Sequence, residues 1–416
     1  MRSEWQDCTL GDFVRLQRGH DLTASEQRPG RVPVMGSAGP NGTHSEALAK
    51  GPGVVVGRSG ASIGRTHFSA VDYWPHNTCL YVTDFLGNNP RFAYYLLQTL
   101  DLAGYDSGSA QPSLNRNYIY GMKVRVPSRD EQDRIVEMLQ ALDDRIDLLR
   151  QTNATLESIA QALFKSWFID FDPVRAKAEG REPEGMDAAT AALFPNEFEE
   201  SELGLIPKGW RIETLARLCE SIFSGGTPDT RRPDFWDGEL RWFSSGETRE
   251  SVIVDTEKRI NRAAVENSST RLARPGDVLI ASAGQGLTRG QTSFCAVETY
   301  INQSVVDVRT DPDKGHAAWT FYNLSRRYEE MRGLSDSHSI RGSLTTKLLA
   351  AMRLVCPHAE LMQRFGDIAS GMLNFQAENR RRVATLASLR DTLLPRLISG
   401  KLRLPEAQNR IEEALA

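Results

Sequence analysis

At 416 residues, with 40% apolar and 25% charged side chains, the chain is long enough for two or three domains, and its composition argues against wholesale disorder. No run approaches the roughly 18 apolar residues a membrane span needs, and MRSEWQDCTLGD at the start lacks the apolar stretch of a secretion signal. The net charge of −4 does not by itself propose a polyanionic partner, but its distribution does not exclude one: residues 1–127 carry 12 basic and 10 acidic groups, 128–200 carry 8 and 17, 201–357 carry 21 and 20, and 358–416 carry 9 and 7.

Residues 1–127 read as a β-rich domain. VPVMGSAGPNGTH offers Gly-Pro-Asn-Gly turn chemistry between short apolar runs, GVVVGRSG is a buried-strand pattern that stops at glycine, and FAYYLLQTL predicts one short helix. From Ile135 the pattern changes. Leu139, Leu142, Ile146, Leu149, Asn153, Leu156, Ala160, Leu163 and Trp167 follow in alternating steps of four and three, the heptad seam of a coiled coil. This places a helix over about 129–168 within a segment 128–171, roughly 60 Å long at 1.5 Å per residue. Asn153 stands on the seam, either to fix register or as a tolerated polar residue near solvent. Residues 172–209, rich in Pro, Gly and acids, read as a linker that hugs surfaces rather than forming a core. Residues 210–357 form a second β-rich domain, and 358–400 a second, less regular helix with Phe365, Ile368, Met372, Phe375, Asn379, Leu386, Leu389, Leu393 and Leu397. Pro395 should kink or end it; 401–416 is a tail.

The chain is written twice. WQDCTLGDFV (5–14) aligns with WRIETLARLC (210–219), PGVVVGRSGASIG (52–64) with PGDVLIASAGQGLTRG (275–290), and TLESIAQALFKSWF (155–168) with TLASLRDTLLPRLI (385–398). The offset drifts from 205 to 230 and then holds, so each unit is a variable globular part followed by a helix of fixed length; the second copy's extra residues fall mostly within 225–265. The fold class is therefore α+β: two β-rich domains, each followed by a long helix, with the helices pairing on one another.

Catalytic apparatus is missing from the pattern. There is no phosphate-binding G-x-x-x-x-G-K-[ST], GQGLTRG (284–290) misses G-x-G-x-x-G, and the five cysteines (8, 79, 219, 295, 356) include no C-x-x-C pair. The cysteine usage fits a reducing cytoplasm. NNPRF (88–92) is close to the Asn-Pro-Pro-aromatic box of amino-methyltransferases, but Arg91 replaces the second proline. The glycine-bounded loops GRSGASIGR (57–65) and SAGQGLTRG (282–290) each carry small residues and then an arginine. Glycines let main-chain amides approach a phosphate, and arginine forks onto guanine. Arg58, Ser59, Arg65, Asn115 and Arg116 in the first copy, and Ser282, Gln285, Arg289 and Arg341 in the second, are the candidate DNA contacts. Arg58 and Arg65 are expected to serve one half of a site, and Arg289 and Arg341 the other.

SGGTPDT with FWDGELRWFSSGE (224–247), RGHDLTASEQRPGRVPVMGSAGPNGTH (18–44), WFIDFDPVRAKAEG (167–180), LFPNEFEESELGLIPKGW (193–210) and LRDTLLPRLISGKLRL (389–404) together resemble the specificity subunits of type I restriction-modification systems. The resemblance covers essentially the whole chain. It implies two target-recognition domains on double-stranded DNA, each reading half of a split asymmetric sequence. An antiparallel helix pair would set the spacer. Two modification subunits would hold S-adenosylmethionine, and restriction subunits would use ATP and Mg, with no cofactor, metal or catalytic residue in this chain and no membrane role. Phosphate contacts supplied by the modification subunits would account for the near-neutral charge, so weak, salt-sensitive DNA binding is expected of the chain alone. The rival readings are a methyltransferase-specificity fusion, a coiled-coil scaffold, and a specificity subunit that has lost its partner genes. Phe164 and Phe168, one position off the seam, and Phe171 are expected to be covered by the linker or by a modification subunit, with burial in the chain's own core the alternative for Phe164 and, less so, for Phe168.

Overall fold

The computed structural model describes residues 5–105, 113–284, 287–338 and 343–415. Its contacts divide the chain into two units, Met1–Asp147 with Ala384–Ala416, and Leu148–Val383.

In the first unit, Gln6–Thr9 pairs antiparallel with Lys123–Val126, which zips the start of the β-rich part to its end. Between them an antiparallel sheet runs in the order Arg15–Arg18, Cys79–Asp84, Gly53–Gly57, Thr66–Ser69. The GVVVG strand is buried along its whole length, as its unbroken apolar run predicts. A smaller sheet joins Gly39–His44, Val32–Gly36 and Trp74–Pro75. Its hairpin turns at Ser37 and Ala38 rather than at Gly-Pro-Asn-Gly, which lies in the strand where the register slips opposite Val34. The turn chemistry of Asn41-Gly42 is spent on a bulge. Helix Pro90–Thr99 starts where Asn89 accepts from the amides of Arg91 and Phe92, with Pro90 in the first turn. Arg91 lies 4.2 Å over the Phe68 ring. NNPRF is thus a helix cap. On the helical side Ile135, Leu139, Leu142, Ile146, Leu386, Leu393 and Leu397 are buried. Asp143 accepts from Arg390 at 2.8 Å and from the Tyr95 hydroxyl at 2.6 Å.

The second unit repeats the plan. Arg211–Thr214 pairs with Arg353–Cys356, and the sheet runs Cys219–Ser224, Val305–Thr310, Val278–Ala281, Thr292–Cys295, with Val252–Ile253 added at the edge. A second sheet orders Lys258–Ile260, Leu240–Phe243, Thr299–Ile301 and Arg271–Ala273. Leu240–Phe243 and Lys258–Ile260 answer Val32–Gly36 and Gly39–His44 of the first copy, each pair beside a parallel strand. Among the described residues Val252–Ile253, within 225–265, and Arg271–Ala273, beyond it, have no strand opposite them there.

Each long helix is one element of 40 residues, Arg129–Phe168 and Ala359–Ile398, with Pro395 in the last turn of the second. Within Leu148–Val383 the helices run antiparallel: Asn153 meets Asn379, Glu157 meets Gln376, and Phe164 meets Phe365. Asn153 accepts from Asn379 Nδ2 at 2.8 Å and donates to the Gln376 carbonyl at 3.2 Å. Gln376 Nε2 and the Tyr322 hydroxyl both donate to Glu157. The seam therefore has a polar layer here, which shifts the buried face of the second helix by one position. Leu373, Gln376, Ala377 and Asn379 are buried, Met372 is half-buried at the edge, and Phe375 is 54% exposed. On the first helix Leu149 and Trp167 are buried, Leu156 and Leu163 half-buried.

The aromatic end of the first helix corrects the docking expectation. Phe164 and Phe168 are both buried in this unit's own core. Phe164 lies 6.0 Å from Trp319 and 5.4 Å from Phe365; Phe168 lies 5.9 Å from Trp210 and 6.0 Å from Trp319. Trp319 comes from helix Ala317–Ser325, which approaches closely because Gly366 has no Cβ to strike the His316 ring. The linker contributes too: Phe194 meets Trp167 at 5.3 Å, and Phe198 meets Phe171 at 6.1 Å. Phe171 holds a left-handed backbone, φ 55°, a conformation a phenylalanine keeps only when its ring is fixed, here also by Trp210 at 5.6 Å. With Val174 and Phe194 buried, residues 172–209 build core rather than merely hugging surface.

Candidate nucleic-acid interface

The first unit carries a groove of about 660 Å³ lined by Gln17, Arg18, Gly19, His20, Arg58, Leu80 and Ser113–Asn117. Its floor is main chain. Arg58 follows the buried strand; its amide donates to Thr78 O at 2.9 Å and its carbonyl accepts from Leu114 N at 2.8 Å. Ser59 bridges Ser113. Gly57 permits the turn, since a Cβ there would stand 2.0 Å from Ser62 O. Asn115 accepts from Asn117 N and so starts the short turn Arg116–Ile119.

Two guanidinium groups in the groove are aimed by neutral carbonyls. Arg58 Nη1 donates to Asn77 O at 3.4 Å, and Arg116 Nη1 to Leu16 O at 3.0 Å, an oxygen that also accepts from the Tyr120 hydroxyl. A carbonyl orients a cation without cancelling its charge, so both keep their attraction for phosphate or a base edge. Arg18 meets Asp21 at 3.3 Å, but both are well exposed, and such a pair holds little. His20 contacts the Tyr81 hydroxyl at 3.3 Å. Arg58, Ser59, Asn115 and Arg116, named from two separate loops of the sequence, come together here, joined by Arg18 and His20, which the sequence did not single out. The signal for Arg18 was the strand pattern RLQR, in which only Leu16 turns inward; His20 lies beyond that strand.

Arg65 does not join them. It lines a separate cleft of about 780 Å³ with Tyr94, Tyr95, Asp143 and Arg390.

Main-chain hydrogen bonds align the copies residue by residue. The Ser282 amide donates to Ser304 O and its carbonyl accepts from Leu344 N, as Arg58 does with Thr78 and Leu114. Gly64 N donates to Gly57 O as Gly290 N does to Ala281 O, and Gly57 N to Arg65 O as Ala281 N does to Gln291 O. Arg58 therefore corresponds to Ser282, and Arg65 to Gln291. Arg289 corresponds to Ile63, so the two arginines paired in sequence are not equivalent. Arg289 is also bound to Asp336, with its side chain 12% exposed, which makes it a structural residue rather than a base reader. Ser282 is buried and offers main chain only. Gln285 and Arg341 lie outside the described residues.

Among the described residues no group of three or more His, Cys, Asp or Glu is placed to hold a metal, and no helix is long and apolar enough to cross a membrane. Burial pushes the Cys79, Cys219 and Cys356 thiols up to about 12, so they are inert at neutral pH. Asp307 is fully buried in the second unit's sheet, facing Asp277, which pairs with Arg309 at 2.7 Å. Burial and the Asp277 charge raise its carboxyl well above the ordinary range.

A family model described as "Type I restriction modification DNA specificity domain" matches residues 2–158. The chain is 26% identical over 366 residues, 75% of this chain and 77% of the other, to the type I restriction enzyme HindI specificity subunit of Haemophilus influenzae. It is 23% identical over 324 residues, 76% and 70%, to the MjaIX specificity subunit of Methanocaldococcus jannaschii. A crystal structure of the type I restriction-modification S subunit from M. genitalium superposes with a TM-score of 0.66 at 13% identity, covering 95% of this chain and 96% of that one, a likeness of fold.

Proposed function

Because this chain belongs to the specificity subunits of type I restriction-modification systems, we propose that its two β-rich domains each read one half of a split, asymmetric DNA sequence. A specificity subunit is the DNA-recognition component of its complex, not a catalytic one. The observation that carries the bipartite reading is the duplicated main-chain frame around Arg58 and Ser282, with different side chains mounted on it. The two helices of 40 residues, each ~60 Å long, are long enough to set a spacer between half-sites whose centres stand roughly 34 Å apart.

Modification subunits would bring S-adenosylmethionine, restriction subunits ATP and Mg, and the complex would work in the cytoplasm. For docking, the exposed apolar residues of the helix pair replace the aromatics: Ile159 is 48% and Phe375 54% exposed. The register that joins Asn153 to Asn379 brings them to the same level of the pair. The test is to map methylated adenines genome-wide in cells carrying this subunit with its modification partner. A split motif with a fixed spacer is expected; a continuous palindrome or no motif would overturn the proposal.

A further inference from the structure

The two copies hold one main-chain frame with different side chains, and that difference separates two roles an arginine plays on DNA. Phosphate contacts position a duplex whatever its sequence, whereas contacts to base edges specify it. Both domains face the same phosphate chemistry, so phosphate contacts belong where the copies agree. Base contacts belong where the frame agrees and the side chains differ, because an asymmetric site presents each domain with a different sequence.

Arg58 meets the second condition. Its amide and carbonyl bonds are reproduced by Ser282, yet one copy mounts a guanidinium in a groove and the other a buried hydroxyl. The neighbouring strand position differs in the same sense, Arg18 opposite Leu80 against Ser224 opposite Val306. We infer that Arg58 is a specificity-determining residue of the first domain and reads a guanine in that domain's half-site. The inference rests on the reading of each domain as a half-site reader. Its geometry is specific: Nη1 donates to the Asn77 carbonyl at 3.4 Å, which leaves the Nε–Nη2 edge as the fork for guanine O6 and N7. The anchor is a carbonyl rather than a carboxylate, so the positive charge is retained. The second domain reads its bases from other positions, since Ser282 offers none.

The experiment compares parent, Arg58→Gln and Arg58→Lys chains, each assembled with the modification subunits, on duplex libraries randomised across both half-sites. Adenine methylation is sequenced as readout, and thermal unfolding checks that the variants fold. In the parent, one position of one half-site should be guanine. In Arg58→Gln, preference for that guanine should fall about 10- to 100-fold while the other half-site keeps its preferences. Arg58→Lys keeps the charge but not the fork, so it should lose the same preference. A uniform loss of methylation with unchanged preferences, full retention by Lys, or a changed position that was never guanine would each overturn the inference. A parent that yields no split motif would instead refute the half-site reading beneath it.

Discussion

Truncating Phe168 to alanine should destabilise the Leu148–Val383 unit rather than detach a partner. The ring is 3% exposed and meets five other rings: Phe164 at 5.0 Å, Phe365 at 5.2 Å, Trp210 at 5.9 Å, and Trp167 and Trp319 at 6.0 Å. Its neighbours come from both long helices, the start of the second β-rich domain and helix Ala317–Ser325, so no single element can move to fill the void. Losing the transferred ring surface costs about 2–3 kcal/mol, and the unfilled cavity brings the total to about 3–5 kcal/mol. For a unit of this size that lowers the midpoint of thermal unfolding by roughly 10 °C. The assay is denaturant or thermal unfolding of the full chain followed by tryptophan fluorescence, since Trp167, Trp210 and Trp319 report directly on the site. A loss below about 1 kcal/mol, accompanied by failure to assemble with the modification subunit, would return Phe168 to a docking surface.

Phe375→Asp, on an exposed position, should leave the unfolding free energy within ~0.5 kcal/mol of the parent and weaken co-purification with the modification subunit; normal assembly would remove this face from the docking proposal. Asn379→Leu should cost about 1–3 kcal/mol by denaturant unfolding, because it leaves the Asn153 amide oxygen without its donor, while leucine at both 153 and 379 should recover most of that loss. Asp307 has a raised folded pKa, so the stability it contributes is full below the ordinary carboxylate range and is lost as pH rises toward the folded value. Asp307→Asn, whose amide can donate to Asp277, should therefore gain stability over the parent as pH rises from 5 to 8, by at most about 1.4 kcal/mol per pH unit; parallel pH profiles of the two proteins would contradict the assignment. Arg289→Ala should loosen the Asp336 contact without altering sequence preference in a methylation assay.

What the sequence displayed best was periodicity. Steps of four and three from Ile135 to Trp167 placed the first helix, and the internal repeat announced a second unit built on the plan of the first. What it concealed was whatever depends on partners distant in the chain. Nothing near Phe168 announces Trp319, some 150 positions later, so rings off the heptad seam looked unpartnered. Phe375 was drawn into the second seam because it is apolar; the structure fills its place with Gln376, bound to Glu157, beside the Asn379 that the seam already held. The glycine-rich loops misled by register. SGASIGR and GQGLTRG align on their glycines with an arginine near the end of each, but the amide-to-carbonyl bonds match Arg65 to Gln291 and leave Arg289 opposite Ile63.

The division of the chain also sets an order of biogenesis. The Leu148–Val383 unit is contiguous, whereas the other unit joins Met1–Asp147 to Ala384–Ala416. The ribosome delivers the first domain early, but Arg390, which pairs with Asp143, and Leu393 and Leu397, which belong to the same unit, emerge more than 230 residues later. The earliest-made domain is thus the last to be completed. Until then Asp143 on its first helix stands without Arg390, and an incomplete unit of this kind is the sort that chaperones attend during synthesis.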